Sequence, residues 1–220
     1  MEISRVTRTR KEAKTLYNRI SVWYNLFAGS SEQKCWDVNI QKLHVREGEQ
    51  ILEIGFGTGT CLLKVAESVG DSGTVYGVDI SEGMCEITQQ NVNKAGLSKR
   101  VNLRCDDAIP LPFDASMFDV VIMNFTLELF DTPEIPQLLS ECRRVLQPHG
   151  RIGVVSLSKK HNPSMITTMY ELVHRWFPRI VDCRPIFVED AVVTAGFNVE
   201  DALDLTLWGL PVVALVATKK

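Results

Sequence analysis

The chain has no Cys-x-x-Cys pair, although six cysteines (Cys35, Cys61, Cys85, Cys105, Cys142 and Cys183) are spread along its 220 residues. That scatter gives no support for a tetrahedral metal site; free, mostly buried thiols in a reducing compartment are the expectation. A G-x-x-x-x-G-K-[ST] segment is also missing, which excludes a phosphate-cradling P-loop. No polar, Pro/Gly-rich linker, internal repeat or low-complexity tract divides the sequence, so one domain over residues 1–220 is expected. The N-terminus lacks the apolar core of a signal peptide, and a cytoplasmic chain is expected. The longest apolar stretch, from Leu205 to Thr218, contains Gly209 and Pro211 and is too short to span a bilayer. Charge is weak overall, with a net of −3 and a pI near 5.8, so the basic face of a nucleic-acid binder is not the default. One local exception is Arg5, Arg8, Arg10, Lys11, Lys14 and Arg19. These form either a solvated helix face or a contact to an anionic surface or substrate, the second allowing peripheral membrane association.

What is present is 45% apolar residues, enough for a full core, in alternating runs. Ile51–Ile54, Thr74–Val78, Val101–Cys105, Phe118–Met123 and Ile152–Leu157 read as strands. Thr60–Val69, Glu82–Ala95 and Ile135–Leu146 have helical spacing, with Ser81 as an N-cap, Gly96 as a stop for the second, and Pro148 and Gly150 as stops for the third. Such alternation implies a doubly wound α/β fold with a mostly parallel sheet. Asn198–Leu205 and Val212–Thr218 break the rule, since no helix separates them, and should pair antiparallel at a sheet edge. Two segments flank this core. Residues 1–45, carrying Tyr17, Trp23, Tyr24, Phe27 and Trp36, are expected as a helical cover. In residues 158–187, Met165, Met169, Leu172, Val173, Trp176 and Phe177 recur at helical spacing, either packing on the core or forming a lid over the strands' C-terminal ends.

The chemistry centres on residues 50–59, QILEIGFGTG. An apolar run ends in glycines at 55, 57 and 59, which reads as a buried strand, a tight turn and a helix, with backbone left bare for a ligand. A dinucleotide turn reads G-x-G-x-x-G, and its last position here is Thr60, which argues against NAD. Asp79 closes the next strand, where a carboxylate can accept both ribose hydroxyl protons. ILEIGFGTGT, VYGVDISEGM, LRCDDAIPLPF, FDVVIMNFTLELF and ECRRVLQPHGRI, in this order and spacing, resemble the successive motifs of class I S-adenosylmethionine-dependent methyltransferases over about residues 15 to 160. The resemblance implies a Rossmann-like, seven-stranded sheet with an antiparallel last strand. It also implies S-adenosyl-L-methionine as co-substrate, with no metal, and a role for each matching position. Gly55, Gly57 and Gly59 would pass under the methionine part, Glu53 would anchor its amino group, and Thr58 would contact its carboxylate end. Asp79 would hold the ribose, with Ile80 and Met84 against the adenine. Asp107 would accept from the adenine amino group, with Ala108 as a backbone donor, and Asn124 would face the methionine end.

The acceptor is less legible. Tyr24-Asn25, the LPF at 111–113 and Ser158-Lys159 resemble the quinone-type C-methyltransferases of ubiquinone and menaquinone synthesis. That group usually has Tyr-Asp at the first of these and an arginine where this chain has Glu128. The resemblance implies a small, lipophilic acceptor such as a quinone-type ring carbon. A carboxylate at the substrate mouth would instead suit an amine, on a metabolite or a phospholipid head group, or act as a base; alternatively Glu128 begins the next helix and faces solvent. His161 and Tyr24 are the other candidate catalytic groups. Tyr17, Trp23, Tyr24 and Trp36 either wall an apolar pocket, cradle an amine or pack in the core. A nucleic-acid amino-methyltransferase would need Asn/Asp-Pro-Pro-Tyr/Phe where Asn124-Phe125-Thr126-Leu127 stands. A non-catalytic domain that only binds the co-substrate would be expected to show eroded cofactor residues.

Overall fold

The computed structural model describes residues 5–6, 8–27, 29–159, 165–176 and 183–220, with the backbone alone at 20–27, 29–31, 165, 166, 171 and 175. Two helices come first, α1 (Arg10–Phe27) and α2 (Gly29–Leu43). The alternating part follows as β1 (Gln50–Ile54), α3 (Thr60–Ser68), β2 (Thr74–Asp79), α4 (Glu82–Lys94), β3 (Val101–Cys105) and β4 (Phe118–Asn124). A 3-10 turn at Leu127–Leu129 leads to α5 (Ile135–Val145), β5 (Leu146–Leu157), α6 (Met165–Trp176), α7 (Val188–Thr194), β6 (Phe197–Leu207) and β7 (Leu210–Lys219).

The seven strands form one sheet in the order β3-β2-β1-β4-β5-β7-β6. Strands β1 to β5 pair in parallel, and β7 runs antiparallel to both β5 and β6. The chain order reverses beside β1, whose neighbours are β2 and β4, and this leaves a crevice beyond the C-terminal end of β1 where an open α/β sheet binds ligands.

Successive side chains of a strand point to opposite faces, so the buried strands feed two cores. Ile51, Val120, Ile122 and Val155 pack on one face with Trp36 of α2 and Leu62 and Val65 of α3. Leu52, Ile54, Val121 and Met123 pack on the other with Leu138, Leu139 and Cys142 of α5 and Val192 of α7. Burial of each such aliphatic side chain contributes about 1.5–3 kcal/mol. Cys35, Cys61 and Cys142 are buried free thiols; Cys85 and Cys183 are half-buried and Cys105 is exposed.

Three boundaries differ from expectation for local reasons. Helix α5 ends at Val145, before Pro148 and Gly150, because Leu146 already has extended backbone and pairs with Phe118 of β4. Residues 147–150 form an irregularity inside β5, with His149 in the left-handed region. Strand β6 runs to Leu207 and is largely exposed, as an edge strand that turns at Trp208-Gly209 back into β7. Of the apolar stripe expected in α6, Met169, Leu172, Val173 and Trp176 are exposed; Met165 is described by its backbone alone, and Phe177 lies outside the described residues.

Candidate functional site

Strand β1 delivers the chain into the glycine turn. Gly55, Gly57 and Gly59 all have positive φ (73°, 53° and 80°), a conformation that strains any residue with a Cβ. Their surroundings differ. A Cβ on Gly55 would stand 2.5 Å from Thr126 Oγ1, and one on Gly59 would stand 2.5 Å from Thr88 Cγ2. A Cβ on Gly57 would meet nothing within 4 Å. Only Gly57 is therefore bare toward open space; Gly59 precedes α3 as its N-cap and packs against α4. Thr88 also donates its hydroxyl to the Gly57 carbonyl at 2.8 Å, and Asn91 donates to the Thr58 carbonyl at 3.1 Å, so α4 clamps the turn.

Asp79, at the end of β2, holds the turn from the other side. Its Oδ2 accepts Gly57 N–H and its Oδ1 accepts Ser81 N–H, each at 2.9 Å. Burial pushes this carboxyl up to about 6 against the opposing pull of those two N–H groups. Glu53, four residues before Gly57, is only 2% exposed. Burial pushes it up to about 8, while hydrogen bonds from Cys61 and Asn124 oppose the rise and the Asp79 charge adds to it. Glu53 Oε2 has no hydrogen-bond partner among the described residues. Asn124 donates to Cys61 Sγ and accepts from Asn39, both at 3.2 Å, which ties α2, α3 and β4 together behind the turn.

A cleft of about 960 Å³, including its open mouth, lies over these groups. Its walls hold Gly55, Gly57, Asp79, Ile80, Met84, Asp107, Ala108 and Asn124, all of them expected at the site. Three expected residues do not line it: Glu53 lies behind Asn124, Thr58 sits buried at the start of α3 beside Thr60, and Gly59 packs on Thr88. Asp106, the neighbour of the expected Asp107, also lines the cleft, together with Phe125, Thr126, Leu129 and Phe130.

The cover comes from the N-terminal segment. Val6, Arg8, Arg10, Ala13 and Tyr17 form one side of the cleft. Arg5 grips Asp131 with Nε and Nη2 at 2.6–2.9 Å and holds that carboxyl down near 2. Arg10 binds Asp107, the Ile109 carbonyl and Glu134. Lys14 reaches Glu82 at 2.7 Å, and Asn18 accepts from Ser81 Oγ and Gly83 N–H. Arg5, Arg10 and Lys14 are thus paired with the chain's own carboxylates around the cleft. The described residues of 158–187, the other expected cover, contribute none of the lining.

Glu128 faces neither solvent nor an open mouth. It sits in the 3-10 turn after β4, fully buried, and accepts Leu157 N–H at 3.2 Å on Oε1. Burial pushes it up to about 8. Beyond it lies Arg184, 1% exposed, which donates Nη2 to the Phe130 carbonyl at 2.6 Å. The sequence carries no sign of this buried guanidinium except that it stands alone in the apolar run Cys183-Arg184-Pro185-Ile186-Phe187. His161 lies outside the described residues, and Tyr24 is described by its backbone alone. Among the described residues no cluster of His, Cys, Asp or Glu is placed to hold a metal ion, and no helix is long and apolar enough to cross a membrane.

Comparison with known proteins gives the family and the fold. The family described as "Methyltransferase domain" matches residues 51–150. A demethylmenaquinone methyltransferase of Lactobacillus johnsonii is 30% identical over 184 residues, covering 82% of this chain and 74% of the relative. Among solved structures, the [4+2]-cyclase SpnF superposes with a TM-score of 0.77 at 19% identity, covering 99% of this chain and 98% of that one. A SAM-dependent methyltransferase from Aquifex aeolicus superposes with a TM-score of 0.64 at 20% identity, covering 97% and 100%. At these identities the two structures speak for the fold alone; the relative and the domain match speak for the family. The chain belongs to the class I S-adenosylmethionine-dependent methyltransferases.

Proposed function

We propose that this methyltransferase acts on a small, lipophilic acceptor with a quinone-type ring carbon. The observation that carries the reading is the division of the cleft. One wall presents the bare Gly57, the Asp79 carboxylate, Ile80, Met84 and Asp107, while Phe125, Leu129 and Phe130 give the rest an apolar lining. A relative's name supports this reading, since the L. johnsonii protein is named a demethylmenaquinone methyltransferase.

The polar wall suits S-adenosyl-L-methionine on structural grounds. Glu53 Oε2 is a buried acceptor with no partner, and Gly57 leaves space that any side chain would fill. In this reading Asp79 holds the ribose while keeping its two backbone bonds, Ile80 and Met84 flank the adenine, and Asp107 with Ala108 meets its polar edge. Asn124 and Glu53 stand toward the methionine amino group. Gly55 and Gly59 shape the turn, and Thr58 supports it from the α3 side. The bound co-substrate supplies an activated methyl group for in-line displacement. The chain's part is to align the acceptor and exclude water, which the cover over residues 6–17 favours.

An amine acceptor rested on an ionised Glu128 at an open mouth. Glu128 is buried, lines no part of the cleft and lies near the positive Arg184, so it offers a cation in the cleft no accessible counter-charge. The test is turnover: the enzyme with S-adenosylmethionine is offered a reduced 1,4-naphthoquinol unsubstituted at the ring carbon, and separately ethanolamine. Mass spectrometry should find carbon-methylated naphthoquinol and no methylated amine; the opposite result would reverse the assignment.

A further inference from the structure

Behind the apolar wall of the cleft, Arg184 and Glu128 are buried charged groups that do not line it and that the fold leaves partly unsatisfied. Arg184 spends only Nη2, on the Phe130 carbonyl; its Nε and Nη1 are buried with no hydrogen-bond partner among the described residues. Glu128 spends Oε1 on Leu157 N–H, with its own N–H and the Ser156 hydroxyl also drawing on the carboxylate, and its buried Oε2 makes no well-aligned hydrogen bond among the described residues. Buried polar groups are normally paired, because an unmade hydrogen bond in a dry interior forfeits the solvation given up on folding. Two orphan donors and one orphan acceptor on neighbouring elements therefore call for a specific occupant.

Their position says which one. Glu128 lies between Leu127 and Leu129 in the turn that follows β4, and Leu129 lines the cleft. The carbonyl held by Arg184 belongs to Phe130, which also lines it. Both charged groups thus stand directly behind the apolar wall, at the strand ends opposite the polar wall of Asp79 and Asp107. A guanidinium is a fixed cation that donates and never accepts, so its partner must be an oxygen bearing lone pairs. Beside it, a carboxyl takes or gives one proton.

Resting on the quinone-type reading above, we infer that Arg184 and Glu128 form the oxygen-binding subsite of the acceptor, with Arg184 Nε and Nη1 facing an acceptor oxygen and Glu128 Oε2 receiving its hydroxyl proton. In that step the O–H bond breaks, the proton passes to Glu128, and the electron pair stays on the acceptor oxygen beside the guanidinium. The enriched oxygen pushes density onto the conjugated ring carbon, which is what an aromatic carbon needs to act as a nucleophile. Burial raises Glu128 into the range where a carboxylate can hold and release a proton near neutrality. The charged groups around the pair are Glu32 of α2, Asp131 after the 3-10 turn, and Arg5 of the cover.

The experiment separates binding from turnover. 1-Naphthol, which has the aromatic hydroxyl but is not the quinol, is titrated into the enzyme saturated with S-adenosylhomocysteine. Wild type should bind it, and Arg184→Met should bind it roughly tenfold or more weakly, as expected for loss of a charge-assisted hydrogen bond. Arg184→Lys, which keeps the charge, serves as the second variant should Arg184→Met fail to fold, and should weaken binding less. Glu128→Gln should retain naphthol binding but lose about a hundredfold or more in kcat on the naphthoquinol, together with the rise of rate with pH toward 8. The melting shift caused by S-adenosylhomocysteine is the control that none of the three variants should change. Equal naphthol affinity in wild type and the Arg184 variants, or no binding by wild type, overturns the subsite, and so does loss of the control shift. Arg184-dependent naphthol binding without any methylation of the naphthoquinol keeps the subsite and overturns the proposed acceptor instead.

Discussion

The carboxylate of Asp79 accepts the backbone N–H of Gly57 at 2.9 Å, across the crevice between the ends of β1 and β2. The same residue thus shapes the one bare glycine of the turn and presents a charge beside it. Asp79→Ala should remove both. Wild type should melt roughly 5–10 °C higher at a hundredfold excess of S-adenosylhomocysteine over Kd. The variant should show no shift, and its ligand-free form should be less stable because Gly57 and Ser81 lose their acceptor. A full shift retained by Asp79→Ala in a thermal melt would falsify the assignment of this wall to the co-substrate.

Gly57 and Gly59 should separate in mutagenesis. Alanine at either place strains a left-handed backbone by about 1–2 kcal/mol. At Gly59 it also drives a methyl into Thr88, so Gly59→Ala should show the larger fall in melting temperature, partly recovered by Thr88→Ala. At Gly57 the methyl enters the cleft, and the main loss should be in S-adenosylhomocysteine affinity by calorimetry. Equal stability and affinity losses at the two positions would contradict the distinction.

Glu53 and Glu128 give the stability a defined pH dependence. Both have folded values near 8, against 4.5 for an ordinary glutamate. Between about pH 4.5 and about pH 8 the native state keeps protons that the unfolded chain has released. Their contribution is therefore full below the lower value and is lost as pH rises through the upper one. Glu53→Gln mimics the protonated form, so it should melt close to wild type near pH 5 and above it near pH 8.5. A parallel pair of curves across that range would show that Glu53 is ionised in the fold.

The cover is held by exposed or half-exposed ion pairs, each worth about 0–1 kcal/mol, so it adds little to overall stability. Its effect should be kinetic. Arg10→Ala should leave the melting temperature within a few degrees of wild type and accelerate both binding and release of S-adenosylhomocysteine in stopped-flow traces. High salt should move wild type in the same direction by screening the pairs. Unchanged rates in both experiments would mean that residues 6–17 do not gate the cleft.

Much of this architecture was legible because it repeats. Runs such as Ile51–Ile54 and Phe118–Met123 are apolar apart from Glu53 and Asp119 because those strands are covered on both faces, and each ended within a residue of expectation. The packing of Gly59 on Thr88 was not legible, because a glycine signals positive φ without saying which neighbour crowds it. Glu128 and Arg184 were illegible for a different reason. A charged residue carries no mark of burial in its own sequence window, and theirs comes from chain about 55 residues apart meeting beneath Phe130. The pairing of Arg10 with Asp107 and Glu134 is equally non-local; the basic cluster was visible, but its acidic partners lay in two separate loops.

Strand β7 lies between β5 and β6, paired to both, yet the ribosome makes it after the other six. Until it emerges, β5 keeps a naked edge of unpaired N–H and C=O groups, and β6 has no partner at all. The nascent chain therefore cannot close its sheet stepwise during translation. It must wait with a sticky flank exposed, which concentrates the risk of aggregation in the interval before β7 is made and pairs.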